Sequence, residues 1–488
     1  MDLKREIFDL LLKPRSVVLI GASATPGKWG LFILHNLLKD GYDGKVYAVG
    51  RKGAEALGIK FFGGIEEIKD NIDLALIAVP PASVLSEVER CIEKGIKAIY
   101  VITGGFAETS DPEGIEVEKK LKQLSQEHHV AIAGPNGQGI LNTHINLCAQ
   151  MFFTMPPKGG ISLITQSGNI GVVLSNFSLH SKIGMSKIIS TGNAACLDIV
   201  DFLKYLSLDE ETRVICVYVE GTKRGRELTS AIESTSRVKP VIIMKAGNTG
   251  AGKKAALSHS AALAGSGAIF EDACRSAGAI VVNSLTEMWD SACILSYQPP
   301  LRGRNIGILT LGGGLGVVTA DIATEEDFEI KPLPEELKLH LDRILPPRWS
   351  RGNPIDLAAS EGPTTIVEVL NAMARYGNFD AIVFVGFGEN GLARHVIETG
   401  KFGKTSPFTE ICEVMKGIEK NVENAVFNII EEKKIPVIGI ADAVLMAREI
   451  DKSIIMSSAE KGFFTFPTPE RGIKALKVLY EYSQKLKG

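Results

Sequence analysis

The stretch ALSHSAALAGS (256–266) places His259 between two serines in a run of small residues. A neutral imidazole is a good nucleophile toward a phosphoryl group. Small neighbours impose few steric limits, so such a loop can carry the ring to different partners. The chain has only eight histidines in 488 residues, which draws notice to this one. On the residues alone, a structural histidine is the commoner reading. Glu220 ends the apolar run of YVEGTKRG (218–225). A carboxylate bonded to one imidazole nitrogen fixes the tautomer and raises the basicity of the other. Its other reading is a cap on the helix that follows. In ITQSGNIG (164–171), Ser167, Gly168 and Asn169 offer a hydroxyl and backbone amides at a helix start, a cradle for phosphate. Ser and Asn are equally at home as ordinary N-caps.

A second group of residues points to a nucleotide-like ligand. The first strand-to-helix turn reads IGASATPGKWG (20–30), where Gly21, Gly27 and Gly30 let backbone amides approach an anion. The spacing is not that of the usual NAD fingerprint. The second strand ends AVGRKG, with Arg51 and Lys52 where an NAD domain prefers an acid. A basic end suits an extra phosphate, as in CoA or NADP. Three other glycine-rich stretches are set aside. GNTGAGKK (247–254) has Lys254 where a P-loop needs Ser or Thr. GFGENG (386–391) is a lone match to the dinucleotide pattern, and GGGLG (312–316) reads as a packing turn.

These residues need a scaffold, and the apolar pattern supplies it. Eleven short β-branched runs alternate with helical patterns: 16–22, 45–50, 73–80, 98–103, 130–136, 161–165, 214–221, 241–247, 306–313, 381–388 and 437–441. Continuous apolar strands between helices imply parallel sheets covered on both faces. The fold class is therefore α/β and doubly wound. Eleven strands exceed one ordinary sheet of about 4–6, so the runs divide into three groups. The expected domains are 1–145, 146–300 and 301–488.

Composition narrows the function. The net charge is −3, which gives no electrostatic case for nucleic acid. Apolar residues make up 45% and charged residues 23%, as in ordinary globular proteins. Seven scattered cysteines without a CxxC pair suggest neither a disulfide framework nor a zinc site. A reducing cytosol is the expected compartment. The N-terminus, MDLKREIFDLLLKPRS, lacks the features of a signal peptide, and no apolar run suits a bilayer span.

Taken in order, the motifs resemble the ADP-forming acyl-CoA synthetases (acetate–CoA ligase, ADP-forming), relatives of succinyl-CoA synthetase. The set is IGAS…PGKWG, DLALIAVPP (73–81), YVITGGFAE (100–108), AGPNGQGILN (133–142), ITQSGNIG, STGNAACLDIVDFL (190–203), YVEGTKRG, KAGNTGAGKKAALSHSAALAGS (245–266) and ILPPRWSRGNPIDL (344–357). The resemblance implies a Rossmann-like CoA-binding domain followed by two flavodoxin-like ligase domains. It implies CoA contacts at Gly21, Ser23, Pro26, Gly27, Lys28, Arg51, Lys52, Pro80, Pro81, Thr103, Gly104 and Asn136. His259 matches the phosphorylated histidine, Glu220 its carboxylate partner, and Ser167 and Gly168 the phosphoryl-holding helix start. Two departures stand out. Ser260 and Ala261 replace the family's Thr and Gly, and GGGLG replaces GGPG.

The resemblance also implies a partner. The chain stops at KLKG (485–488), and about 200 more residues would be expected for an ATP-grasp module. A separate nucleotide-binding β subunit is expected, in an α2β2 heterotetramer, with Mg2+ arriving with ADP or ATP on that subunit and not from ligands in this chain. The rival expectations are a CoA-sensing scaffold without turnover and an NADP-dependent dehydrogenase.

Overall fold

The structure is a computed structural model that describes residues 4–152, 154–249, 252, 267–357, 362, 364–450 and 453–486. It divides into two compact units. One holds residues 1–180 and 184–288, the other 181–183 and 289–488.

The first unit contains two sheets. The first sheet has the order β3-β4-β2-β1-β5-β6-β7. Its strands are β1 (Ser16–Ala22), β2 (Lys45–Gly50), β3 (Glu55–Ala56), β4 (Ile59–Phe62), β5 (Leu74–Ile77), β6 (Ala98–Val101) and β7 (Ala131–Ala133). All neighbours pair in parallel except β3 with β4. β1 after Ser16, β5 and β6 are apolar because helices cover both faces: Val17, Val18, Leu19, Leu74, Leu76 and Ile99 have no exposed surface. Full burial of each such side chain stabilises by roughly 1.5–3 kcal/mol. α1 (Arg5–Leu12), α2 (Trp29–Lys39), α3 (Pro81–Glu93) and α4 (Pro112–Glu127) belong to this half.

The second sheet has the order β14-β13-β12-β10-β11-β8-β9. β10 (Lys158–Thr165), β11 (Met185–Ser190), β12 (Val214–Val219), β13 (Val241–Lys245) and β14 (Ile280–Val281) are parallel. β8 (Gly139–Asn142) and β9 (Leu147–Gln150) add an antiparallel edge. The all-parallel expectation fails there because residues 143–146 close a tight turn, with Asn146 left-handed at φ +53°. Antiparallel strands can be joined by so short a link, whereas parallel ones cannot. α5 (Gly168–Ser181) follows β10, α6 (Ile199–Ser207) follows β11, and α7 (Gly225–Ser236) follows β12.

The second unit holds a five-stranded, all-parallel sheet, β16-β15-β17-β18-β19, with β15 (Ile306–Thr310), β16 (Ile355–Asp356), β17 (Ala381–Val385), β18 (Val437–Ile440) and β19 (Thr465–Phe466). All eleven sequence-predicted runs are strands, and the architecture is doubly wound α/β.

Strand order decides where ligands go. In open α/β sheets they bind beyond the carboxyl ends of strands, at the point where the order reverses. In the first sheet that point lies between β1 and β5. In the second it lies between β10 and β12.

Candidate active site

The expected CoA residues gather along the carboxyl edge of the first sheet. Gly21 stands at the end of β1 and Ser23–Lys28 follow it, Arg51 and Lys52 follow β2, Pro80 and Pro81 open α3 after β5, Thr103 and Gly104 follow β6, and Asn136 follows β7. Local bonds join neighbouring loops: Thr103 Oγ1 donates to the Val79 carbonyl at 2.7 Å, and the Asn136 amide donates to the Thr103 carbonyl at 2.8 Å. Asn136 is left-handed, with φ +58°. Ser23 Oγ accepts from the Thr25 amide, which shapes the first turn.

The glycines of that turn have unequal jobs. A methyl group at Gly21 would lie 2.4 Å from the Ala78 carbonyl oxygen, and one at Gly30 would lie 2.1 Å from that of Gly21. Both positions leave no room for a side chain because backbone packs there. Gly27, at φ +84°, faces open space beside the exposed Pro26 and Lys28. The basic pair is also divided. Lys52 Nζ is paired with Glu67 at 2.8 Å, while both Lys52 and Arg51 are exposed. At Gly104 a methyl group would meet Asn136 Oδ1 at 2.6 Å and Glu108 Oε1 at 3.1 Å, so only a bare backbone fits between those groups.

The phosphate-cradle residues lie at the second reversal point. Thr165 ends β10, and its hydroxyl donates to the Ser167 carbonyl at 2.7 Å while accepting the Ser167 amide at 3.0 Å. The Ser167 amide is therefore engaged, a correction to its reading as a free donor. α5 starts at Gly168, so Gly168 and Asn169 stand in its first turn, where amides have no intrahelical acceptor. Fourteen helical residues direct the positive end of their dipole to this spot. The side chain of Gln138 covers Gly168. A methyl group there would lie 1.5 Å from Gln138 Cγ. Gln138 Oε1 is buried and has no hydrogen-bond partner among the described residues.

Glu220 follows β12, the neighbour of β10, and is buried. Its backbone is held from two sides. Gln166 Oε1 accepts from the Glu220 amide at 2.6 Å and the Gly221 amide at 3.1 Å, while Gln166 Nε2 donates to the Gly221 carbonyl at 2.8 Å. Lys245 Nζ donates to the Glu220 carbonyl at 2.8 Å and to the Ala246 carbonyl. The helix that follows starts at Gly225 with Arg224 at its N-cap, so Glu220 does not cap it. His259, Ser260 and Ala261 lie outside the described residues.

Sequence reasoning passed over Gln138, Gln166, Asn193 and Lys245. All four lie inside quoted motifs, and three are carboxamides, which announce no chemistry until their partners are known. Among the described residues, no group of three His, Cys, Asp or Glu side chains is placed to hold a metal ion, and no helix is long and apolar enough to cross a membrane.

Comparison with known proteins adds the decisive observation. Residues 15–143 match the CoA binding domain family, 158–295 the succinyl-CoA ligase like flavodoxin domain, and 306–424 the ligase-CoA domain. The chain is 35% identical to the acetate–CoA ligase [ADP-forming] I subunit alpha of Pyrococcus furiosus, over 98% of both chains. This chain belongs to the ADP-forming acyl-CoA synthetases. The acetate–CoA ligase [ADP-forming] of Methanocaldococcus jannaschii is 39% identical over 72% of this synthetase, a match that spans 49% of that longer protein. Among solved structures, the acetyl-coenzyme A synthetase 1 of Ca. Korarchaeum cryptofilum, determined with phosphate and ADP, superposes with a TM-score of 0.83. It is 29% identical, with 99% of this chain and 98% of that one covered. The synthetase is an acid–thiol ligase chain whose first sheet lies in the CoA-binding region, with β10–β14 in the succinyl-CoA ligase like region and β15–β17 in the ligase-CoA region.

Proposed function

We propose that the synthetase cleaves an acyl-CoA in three balanced steps. A phosphate oxygen attacks the thioester carbonyl; the carbon–sulfur bond breaks, and CoA leaves as a thiolate that takes up a proton. The product is an acyl phosphate. An imidazole nitrogen of His259 then attacks phosphorus, the bond to the acyl oxygen breaks, and the free carboxylate departs. A β-phosphate oxygen of ADP finally takes the phosphoryl group and regenerates the imidazole.

The residues of the chain divide this work. The edge formed by Gly27, Lys28, Pro80, Pro81, Thr103, Gly104 and Asn136 binds CoA. Arg51 and Lys52 add positive charge for its phosphates. At the start of α5 the Ser167 hydroxyl, the amides of Gly168 and Asn169 and the helix dipole neutralise phosphoryl charge. Glu220 orients His259. Catalysis is mostly positioning and charge neutralisation. ADP, with Mg2+, binds an ATP-grasp β subunit in an α2β2 assembly, in line with the subunit naming of the Pyrococcus furiosus relative. The compartment is the cytoplasm.

One observation carries the reading. The segment 134–139 places Asn136 against Gly104, on the CoA edge, and two residues later lays Gln138 over Gly168, at the phosphate helix. That geometry supports a reading in which the thioester end of CoA and the attacking phosphate meet at one short stretch of chain. The test is calorimetry with CoA and with NAD on the full chain, followed by phosphate-dependent acetyl-CoA cleavage with the partner subunit and ADP. CoA binding and ADP-dependent cleavage are expected. Tight NAD binding without CoA binding, or steady ATP synthesis by this chain alone, would overturn it.

A further inference from the structure

The loop that follows β11 is wired to both halves of this site. The Thr191 amide donates to the Thr165 carbonyl at 2.8 Å, which joins the loop to the turn that holds Ser167. The Asn193 amide donates to the Pro135 carbonyl at 2.9 Å, and the Ala195 amide to that of Gly134 at 3.1 Å. Gly192 is left-handed at φ +54°, and a methyl group on it would lie 2.2 Å from the Pro135 carbonyl oxygen. The loop from the second sheet therefore packs backbone to backbone on the segment 134–139.

From that base the Asn193 side chain reaches into the first half. Its Nδ2 donates to Glu118 Oε1 at 2.7 Å and to Glu108 Oε2, and its Oδ1 accepts from Asn136 Nδ2 at 3.1 Å. The two carboxylates in turn hold three successive amides of the expected CoA loop. Glu108 accepts from Gly105 at 2.6 Å and Phe106 at 3.1 Å, and Glu118 accepts from Ala107 at 3.2 Å. Two carboxylates facing one point repel each other unless a donor stands between them. Asn193 is that donor, and it comes from the sheet that carries the phosphate helix.

We infer that Asn193 is a positioning residue for thioester cleavage. It sets the CoA loop 103–107 and Asn136 in register with the start of α5, and so sets the thioester carbonyl against the phosphate. This deepens the proposed function and rests on its placement of CoA and phosphate. A misplacement of about 1 Å in such a step costs on the order of a hundredfold in rate, so a residue that touches no reacting atom can still govern it.

The experiment uses the full chain with its partner subunit and ADP, and acetyl-CoA and inorganic phosphate as probes. Asn193→Asp sets a third carboxylate against the two glutamates. We expect kcat to fall roughly tenfold to a hundredfold, with CoA affinity of the full chain unchanged. Asn193→Asp with Glu118→Gln exchanges donor and acceptor across the same pair, and most of the lost kcat should return. Asn193→Ala should lower kcat with CoA affinity retained, and it supplies the readout if the aspartate variant does not fold. Wild-type kcat in Asn193→Ala, or no recovery in the double variant, would overturn the inference. So would equal losses of kcat, CoA affinity and melting temperature, which would make Asn193 simple packing. A wild-type protein that neither binds CoA nor cleaves acetyl-CoA would instead overturn the functional reading beneath it.

Discussion

Gln166 grips Glu220 by the backbone: one carboxamide accepts two successive amides, from Glu220 and Gly221, and donates to the Gly221 carbonyl. Gln166 belongs to the turn before α5, and Glu220 follows the neighbouring strand β12. The expected phosphoryl cradle and the expected histidine partner are thus parts of one bonded unit at the reversal point of the sheet.

The first prediction follows from that unit. Glu220→Gln should lower the phosphohistidine yield roughly tenfold or more, since a hydrogen bond to a charged group is worth roughly 1.5–3 kcal/mol. CoA affinity should hold. Gln166→Leu should lower the yield in the same assay by releasing the backbone that carries Glu220. Wild-type label in both variants would leave Glu220 without a part in phosphoryl transfer.

His259→Asn should keep CoA binding, because the proposed CoA residues lie along the first sheet, within the region that matches the CoA binding domain family. It should abolish phosphoryl transfer to ADP. The measurement is acid-labile, base-stable phosphate on this chain after incubation with acyl-CoA and phosphate. Label that persists in the variant would mean the phosphorylated residue is another one.

Stability at low pH should depend on a buried charge cluster. Lys187 Nζ lies 2.7 Å from both Asp209 and Glu211, and Lys13 Nζ lies 3.0 Å from Asp209. Burial alone would raise the Asp209 pKa; bonds from Lys187, Thr212 and Lys13 outweigh it and hold the carboxyl down at about 2. Its folded pKa lies below the unfolded value of about 3.9. This stabilisation, on the order of 2–3 kcal/mol, is therefore present above pH 4 and lost as pH falls from about 4 toward 2. Lys187→Met leaves Asp209 buried without its main partner and should cost about 3–5 kcal/mol. Urea unfolding at pH 7 and pH 3 checks both statements; a variant as stable as wild type at pH 7 would contradict them.

The second unit should respond to pH in the opposite sense. Glu419 lies on the helix Phe408–Asn428, 3.6 Å from Arg394 Nε. Burial pushes its carboxyl up to about 7, against the pull of Arg394 and with help from Glu398. A folded pKa raised above the unfolded value means stability that is full below about pH 4 and lost as pH rises through 7. Glu419→Gln should flatten that loss. Melting curves between pH 5 and pH 8 test it, and an identical slope in the variant would show that Glu419 does not set it.

The same residues show what a sequence can and cannot disclose. Every long β-branched run became a strand, because full burial on both faces writes itself as an unbroken apolar string. MSKIIS, now β11, escaped because Ser186 and Lys187 interrupt the string. Lys187 is fully buried all the same, and what permits it is the pair Asp209 and Glu211, more than twenty positions away. The edge strands β8 and β9 escaped because they are short and antiparallel. Within the site, histidine, glutamate and glycine-rich turns were legible from residue type. Gln138, Gln166 and Asn193 were not, since their roles consist of partners that only the fold brings near.

Gly168 offers the sharpest steric test. Its missing side chain leaves the space that Gln138 fills: a methyl group there would lie 1.5 Å from Gln138 Cγ and 2.3 Å from Cδ. Gln138 cannot retreat with its backbone. Its amide donates to Ser190 Oγ at 3.1 Å, and its carbonyl accepts from the Met151 amide at 2.9 Å. In Gly168→Ala the carboxamide must therefore swing off the helix start, at an overpacking cost of about 1–3 kcal/mol. That movement disturbs the spot where phosphate is proposed to bind, and it leaves the CoA edge in place. KM for phosphate should rise roughly tenfold, in step with that cost, while CoA affinity stays the same. Adding Gln138→Ala to Gly168→Ala makes room for the methyl group and should restore stability. Phosphate KM should stay high in the double variant if the Gln138 carboxamide itself serves the phosphate. A phosphate KM unchanged in Gly168→Ala would show that the start of α5 does not hold the attacking phosphate.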